Sequence, residues 1–262
     1  MFLTHADEEI SNEFLSQGYI IRPVADFEAL KQITNNFINI ISDNLKIKSD
    51  LKHQDIFNKI HQNISAKEIN NFRMNLIDKV NSIQESRQLF YKTAAPYLES
   101  LVGNELAMQV CINLNIQLPG DDSSLLPIHS DIWSGDSPFE IVVWLPLVDC
   151  FKTKSMYIIS PKNVKEVQEN YLNNYDDKIS YHPTKDKVKF LKVNYGEVLL
   201  FNQALPHGNF INEESETRFS LNARFKNIFT PYRDKKLGEF FQPISLRVVS
   251  KIGLEYKFPK IL

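Results

Sequence analysis

The first hundred residues repeat their apolar positions every three or four, whereas residues 105 to 230 alternate polar and apolar side chains every second position in short runs. A helix brings i, i+3, i+4 and i+7 onto one face, and a strand turns successive side chains to opposite faces. The change of period therefore predicts helices followed by strands. In "FLSQGYIIRPV" the segment Gly18-Tyr19-Ile20-Ile21 reads as a strand ending at Pro23. Asp26 is positioned to N-cap a helix with Leu30, Ile33, Phe37, Ile40 and Ile41 on one side. Ser65 and Glu68 match a capping box before a second helix with Ile69, Phe72, Leu76 and Val80. A third helix holds Leu89, Phe90 and Tyr97, and Pro96 inside it is expected to kink or break it.

The later runs have strand period. "CINLNIQL" places Asn113, Asn115 and Gln117 on one face and Ile112, Leu114, Ile116 and Leu118 on the other. "FEIVVWLPLV" is apolar throughout, as in a strand covered on both faces, and "SMYIIS" continues in that manner. A helix is expected after Pro161, with Val164, Val167 and Tyr171 on one side, and then a surface loop in "YDDKISYHPTKDK". Two more strand regions, "VKFLKVNYGEVLLFN" and "RFSLNARFKNI", follow. The last puts Arg218, Ser220, Asn222 and Arg224 opposite Phe219, Leu221, Ala223 and Phe225. With no linker, repeat or low-complexity segment, residues 1–262 read as one domain: a helical buttress over 1–104, a β core over 105–230 and a C-terminal extension over 231–262.

Composition narrows the function classes. A net charge of −2 over 262 residues gives no general attraction to nucleic acid or to an anionic membrane. The opening "MFLTHADEEISNEF" has acidic residues where a signal peptide carries a basic stretch, and no segment approaches a membrane span, so a cytoplasmic location is expected. Cys111 and Cys150 lie in apolar runs outside any CxxC pattern and read as buried thiols in a reducing compartment.

Candidate chemistry begins in "LLPIHSDIWSGD". His129 and Asp131 are i and i+2, so on an extended segment both side chains point the same way and can share one ion. A histidine beside a carboxylate is more often a hydrogen-bonded surface pair. The second apolar strand, ending at His207, shifts that balance, because two histidines and one carboxylate make the facial triad suited to non-haem Fe(II). Arg218, eleven positions further on and on the polar face of its strand, offers a guanidinium fork for a planar carboxylate.

On "HSD", "VVWLPLVD", "NYGEVLLFNQALPHGN" and "TRFSLNARF" the chain resembles the Fe(II)/2-oxoglutarate-dependent oxygenases, and among them the phytanoyl-CoA-dioxygenase-like group. "NLNIQLPGDDSSLLPIHSDIWSGDSPFE" and "PLVDCFKTKSMYIISP" are similar to the sporadic carbohydrate cluster oxygenases. The resemblance implies a double-stranded β-helix, or jelly-roll, core. It makes His129, Asp131 and His207 the Fe(II) ligands and Arg218 the clamp on the distal carboxylate of 2-oxoglutarate, with O2 the third reactant. Asn209 would assist the clamp, and Asn115 and Gln117 would contact the cosubstrate or line its pocket. The implied reaction couples oxidation of 2-oxoglutarate to succinate and CO2 with hydroxylation of a substrate C–H bond. The carboxylate at Asp131 leaves no position for a halide ligand, which disfavours halogenation. "TKSMYIISPKN" departs from the glycine-containing segment usual in relatives.

The expected substrate is a small molecule, a carbohydrate or sugar-linked metabolite. Trp133, Asp136 and Gln203 are its candidate contacts, Trp133 being equally well explained as packing. Lys154 reads as a solvated charge, Arg224 as a backup to Arg218 or a group that meets solvent or an acidic neighbour, His53 and His61 as surface residues, and His182 as part of a loop. Two alternatives stay open from sequence: a hydroxylase of an amino acid or other small metabolite, and a cupin-type sugar-binding or isomerising protein.

Overall fold

A computed structural model describes residues 4–46, 52–173, 183, 185 and 188–259. His182, and all of the expected loop over 175–187 except two isolated positions, lie outside the described residues.

Helix α1 (His5–Gln17) leads into strand β1 (Tyr19–Pro23), followed by α2 (Phe27–Leu45), α3 (His53–Asn58), α4 (Ile69–Asn81), α5 (Ser86–Lys92) and α6 (Ala95–Val102). Local chemistry sets these limits. Asp26 accepts a hydrogen bond from the Ala29 amide at 2.9 Å, which caps α2. The Ser65 amide and hydroxyl both donate to Glu68, and a turn there precedes α4. Pro96 falls in the first turn of α6, where a missing amide costs nothing, so the expected third helix divides into α5 and α6.

The β core follows: β2 (Leu106–Gln109), β3 (Asn113–Gln117), β4 (Glu140–Pro146), β5 (Tyr157–Ile158), then α7 (Val164–Asn173), β6 (Lys189–Phe190), β7 (Glu197–Asn202), β8 (His207–Gly208), β9 (Arg218–Asn227), β10 (Phe241–Ser245) and α8 (Val248–Glu255). A major antiparallel sheet runs β1-β7-β4-β9-β2-β10, with β3 also paired to β9, and a minor sheet runs β6-β5-β8. The antiparallel sheets and their flanking helices form a jelly-roll core. Helix holds more residues than strand among those described, but the strands form the layers on which the helices pack.

Both faces of β9 are largely buried, for different reasons. Its apolar face meets the helices: Phe219 stacks on Phe57 of α3 at 4.6 Å between ring centroids and meets Phe37 of α2 edge-on at 5.5 Å. α2 turns Leu30, Ile33, Phe37 and Ile41 into this layer. With helices on the apolar face, the polar face carrying Arg218, Ser220, Asn222 and Arg224 is left pointing between the sheets.

Several surface readings are corrected by burial. Lys154 is fully buried, with its ammonium donating to Asn58 Oδ1 and Glu216 Oε2, both at 2.7 Å. His53 and His61 are half-buried: the His53 ring lies 4.4 Å from Tyr195, and His61 Nδ1 is 2.9 Å from Thr217 Oγ1. Cys150 is buried, Cys111 is half-buried, and both are free thiols. The C-terminal extension adds β10 to the edge beside β2, whereas α8 buries none of its residues. No helix among the described residues is long and apolar enough to cross a membrane.

Candidate active site

The segment from Leu126 to Asp131 and the short strand β8 are drawn together by reciprocal backbone bonds. The His129 amide donates to the His207 carbonyl at 3.0 Å, and the His207 amide donates to the His129 carbonyl at 2.8 Å. Gly208 permits the close approach: a Cβ there would sit 2.7 Å from Tyr157 Oη and 2.8 Å from the Leu126 carbonyl. Asp131 is anchored on the other side, where its amide and the Ser130 hydroxyl both donate to the Gln203 carbonyl.

These bonds collect one ligand atom each from His129, Asp131 and His207 within 4.8 Å of one another. Each histidine points Nδ1 at the carbonyl two residues before it, Pro127 at 2.8 Å and Leu205 at 2.9 Å. A carbonyl only accepts, so the proton of each neutral ring sits on Nδ1 and leaves the Nε2 lone pair for a metal. Burial, with His129 next, holds the His207 imidazole down at about 4, so it is neutral in mildly acidic or neutral solution. Burial alone would raise the Asp131 carboxyl. His207, Arg224 and His129 outweigh it and hold that carboxyl below its ordinary range, which favours the ionised ligand.

Of the readings open for Arg224, the structure bears out the acidic neighbour. The guanidinium spans Asp131 Oδ1 at 3.0 Å and Asp136 Oδ1 at 3.2 Å, and Lys235 closes the chain of charges on Asp136 Oδ2 at 2.6 Å. Arg218 presents the opposite case. It is 3% exposed, two of its nitrogens donate to Asn115 Oδ1 at 2.6 and 3.2 Å, and no carboxylate pairs with it among the described residues. Its Nη1 has no hydrogen-bond partner among them, nor has the buried hydroxyl of Ser220 two residues on. Burial lowers the guanidinium to about 10, which leaves it charged at neutral pH.

A cavity of about 500 Å3 is lined by the triad together with Arg218, Arg224 and Asn115. Its apolar wall includes Val142, Trp144, Met156 and Phe201. Asn209 lines it too, but its amide is taken up by the preceding loop: Oδ1 accepts from the Leu126 amide at 2.6 Å and Nδ2 donates to the Ser124 carbonyl. Gln117 sits opposite Arg218 in the sheet register, buried behind the cavity wall, with Nε2 donating to the Phe210 carbonyl.

The expected substrate contacts are placed differently. Asp136 is fully buried between Arg224 and Lys235, and Gln203 is fully buried with its amide on the Ser137 carbonyl and Glu140. Trp133 is half-buried in the short turn Asp131–Ser134, and none of the three lines the cavity. Instead α4 contributes Arg73, Met74 and Ile77, which sequence reasoning had assigned only to a buttress. No periodic signal marked them, since the apolar stripe of α4 runs through Ile69, Leu76 and Val80.

This donor set can hold one divalent metal and one dicarboxylate. Solved structures place the fold in matching company. No protein-family model matches the chain, and no curated protein does. A non-haem monooxygenase, ThoJ, in its nickel complex is 16% identical with a TM-score of 0.51, over 92% of this chain and 85% of that one. HygX from Streptomyces hygroscopicus, with nickel and 2-oxoglutarate bound, is 11% identical with a TM-score of 0.52, covering 90% of each chain. AviO1 from Streptomyces viridochromogenes Tue57 is 13% identical with a TM-score of 0.55, over 88% of this chain and 99% of that one. At such identities the likeness establishes the shared jelly-roll fold, and the chemistry has to come from the residues.

Proposed function

We propose that the chain is an Fe(II)/2-oxoglutarate-dependent oxygenase that hydroxylates a carbohydrate or a sugar-linked metabolite. The observation that carries this reading is Arg218, a charged guanidinium buried without a carboxylate, in the same cavity as the His129–Asp131–His207 cluster. A buried unpaired charge costs several kcal/mol, on the order of the desolvation penalty of a single ion. A structural role does not account for that cost, whereas a cosubstrate carboxylate would offset it. A cupin-type binding or isomerising protein would have no need of such a fork.

In this reading His129 and His207 present Nε2 to the metal, with their rings oriented by the carbonyls of Pro127 and Leu205. Asp131 supplies the anionic ligand, and Arg224 holds its carboxylate in place. Three protein ligands leave positions open for cosubstrate and O2. Arg218 would hold the far carboxylate of 2-oxoglutarate, its guanidinium plane set by the bonds to Asn115. Val142, Trp144 and Phe201 line the same cavity and would limit water there. Bound iron with 2-oxoglutarate supplies an oxidant strong enough to break an unactivated C–H bond. The polar amides of the cavity and the resemblance in residues 113–140 support a hydroxyl-rich substrate.

The test is the visible spectrum of oxygen-free protein given Fe(II) and 2-oxoglutarate. A weak charge-transfer band that needs both additions and is lost in His207→Ala is expected. Metal binding without that band would overturn the reading in favour of a cupin-type protein.

A further inference from the structure

Arg73 is the one cavity-lining cation that the reading above leaves without a role. It projects from α4 beside Met74 and Ile77, and its hydrogen bond is to the neutral Asn70 Oδ1 one turn back, at 2.7 Å. No carboxylate pairs with it among the described residues. α4 is fixed over β3 because Asn81 donates to the Ile112 carbonyl at 3.0 Å and accepts from the Ile112 amide at 2.7 Å. The half-buried Arg73 therefore sits on a helix fixed at this wall rather than on a loose segment.

The charges do not balance. Arg73, Arg218 and Arg224 line the cavity against the single carboxylate of Asp131, an excess of two positive charges when the histidines are neutral ligands. Asp136 behind the wall is matched by Lys235. A divalent metal and the dianion of 2-oxoglutarate cancel each other, so loading the site leaves the excess in place. Arg224 is committed to Asp131, and Arg218 is taken up by the cosubstrate. A confined positive excess focuses the field on an incoming anion. Between these groups, Asn113 and Asn222 lie across the β3–β9 pair with Asn113 Nδ2 donating to Asn222 Oδ1 at 3.1 Å, and both amides line the cavity. Their remaining donors and acceptors suit hydroxyl groups.

We infer that the primary substrate is an anionic sugar, a sugar phosphate or a sugar acid, whose charged group is held by Arg73 and whose hydroxyls meet Asn113 and Asn222. This rests on the oxygenase reading only for which charges the metal and cosubstrate cancel.

The experiment uses the full chain loaded with Mn(II), which is inert to turnover, and saturated with 2-oxoglutarate. Inorganic phosphate, glucose 6-phosphate, glucuronate and glucose are titrated in turn, and saturable paramagnetic broadening of their 31P or 1H resonances is recorded. Phosphate esters and uronates are thereby separated as sources of the charge. Either anionic sugar should bind about tenfold or more tightly than glucose, since a charge-assisted hydrogen bond is at stake. Arg73→Ala should abolish that preference and Arg73→Lys should keep part of it. Lys165→Ala, which removes an exposed cation on α7, should change nothing. Equal binding of glucose and the anionic sugars overturns the inference, as does no saturable binding of any probe or a preference that survives Arg73→Ala. Protein that fails to bind 2-oxoglutarate overturns the oxygenase reading instead, and calorimetry on the same samples reports that separately.

Discussion

Two arginines lie six residues apart on one face of β9, and their surroundings differ sharply. Arg224 is held between Asp131 and Asp136, with Lys235 beyond, so its charge is answered within the protein. Arg218 is more deeply buried, bonded to a neutral amide and paired with no carboxylate among the described residues. The first end of the strand is a finished ionic network that fixes the Asp131 carboxylate, a candidate metal ligand. The second is left with a charge the protein does not answer, which in the proposed reading a carboxylate from outside would complete. A buried charge left unpaired by the protein is thus a better pointer to a ligand than a buried ion pair, which explains itself.

The largest effect is expected where the network meets the cluster. Asp131→Ala removes an anionic ligand and leaves Arg224 facing the cavity with one carboxylate fewer. Outer-shell partners of a metal typically account for about 10- to 100-fold in affinity, so loss of a ligand should exceed about 100-fold. Calorimetric titration of the oxygen-free protein with Fe(II) measures this, and wild-type affinity in the variant would contradict the cluster as a metal site.

Arg224→Ala comes next. It strands Asp131 and Asp136, both buried, with Lys235 left to answer only one of them. Breaking a buried pair in this way costs about 3–5 kcal/mol, read as a lowered midpoint in urea with an unchanged slope. A variant as stable as wild type would show that the paired end of β9 is not the structural end. Arg218→Ala, by contrast, should leave metal affinity unchanged and weaken 2-oxoglutarate binding by tens-fold or more, as loss of two charge-assisted bonds at about 1.5–3 kcal/mol each requires.

Much of this contrast was legible along the chain, because alternation alone put Arg218 and Arg224 on one face and the phenylalanines on the other. Spacing cannot say which side of a strand is covered. The helices settle it by burying Phe219 and leaving the polar face inward. Local chemistry was equally readable: the Asp26 cap and the break at Pro96 depend on neighbours in sequence. What failed were contacts made over long separations. Lys154 meets Glu216 and Asp136 meets Lys235, each closed only by the fold, and which acidic neighbour Arg224 meets was likewise open until the fold set it. Proximity to the H-x-D motif made Asp136 resemble a substrate contact, although the chain turns it away from the cavity. The share of α4 in the cavity was hidden for the same reason, since the sheet it covers lies more than thirty residues later.

The smallest effect separates the two arginines by sign. Replacing Arg218 with Met keeps much of the side-chain volume and removes a desolvated charge that no carboxylate answers. The acceptor it abandons, Asn115 Oδ1, lines the cavity and can turn to water, so that loss is cheap. Ligand-free Arg218→Met protein should therefore be more stable than wild type, by about 1 kcal/mol on the scale at which apolar side chains replace buried ions. Arg224→Met should be less stable. 2-Oxoglutarate with metal should raise the melting temperature of wild type and leave that of Arg218→Met nearly unchanged, because a ligand stabilises only the state it binds. Thermal melts of the two methionine variants, each with and without cosubstrate, check both signs at once. If Arg218→Met is destabilised as much as Arg224→Met, the two ends of β9 are alike, and Arg218 belongs to the architecture rather than to the site.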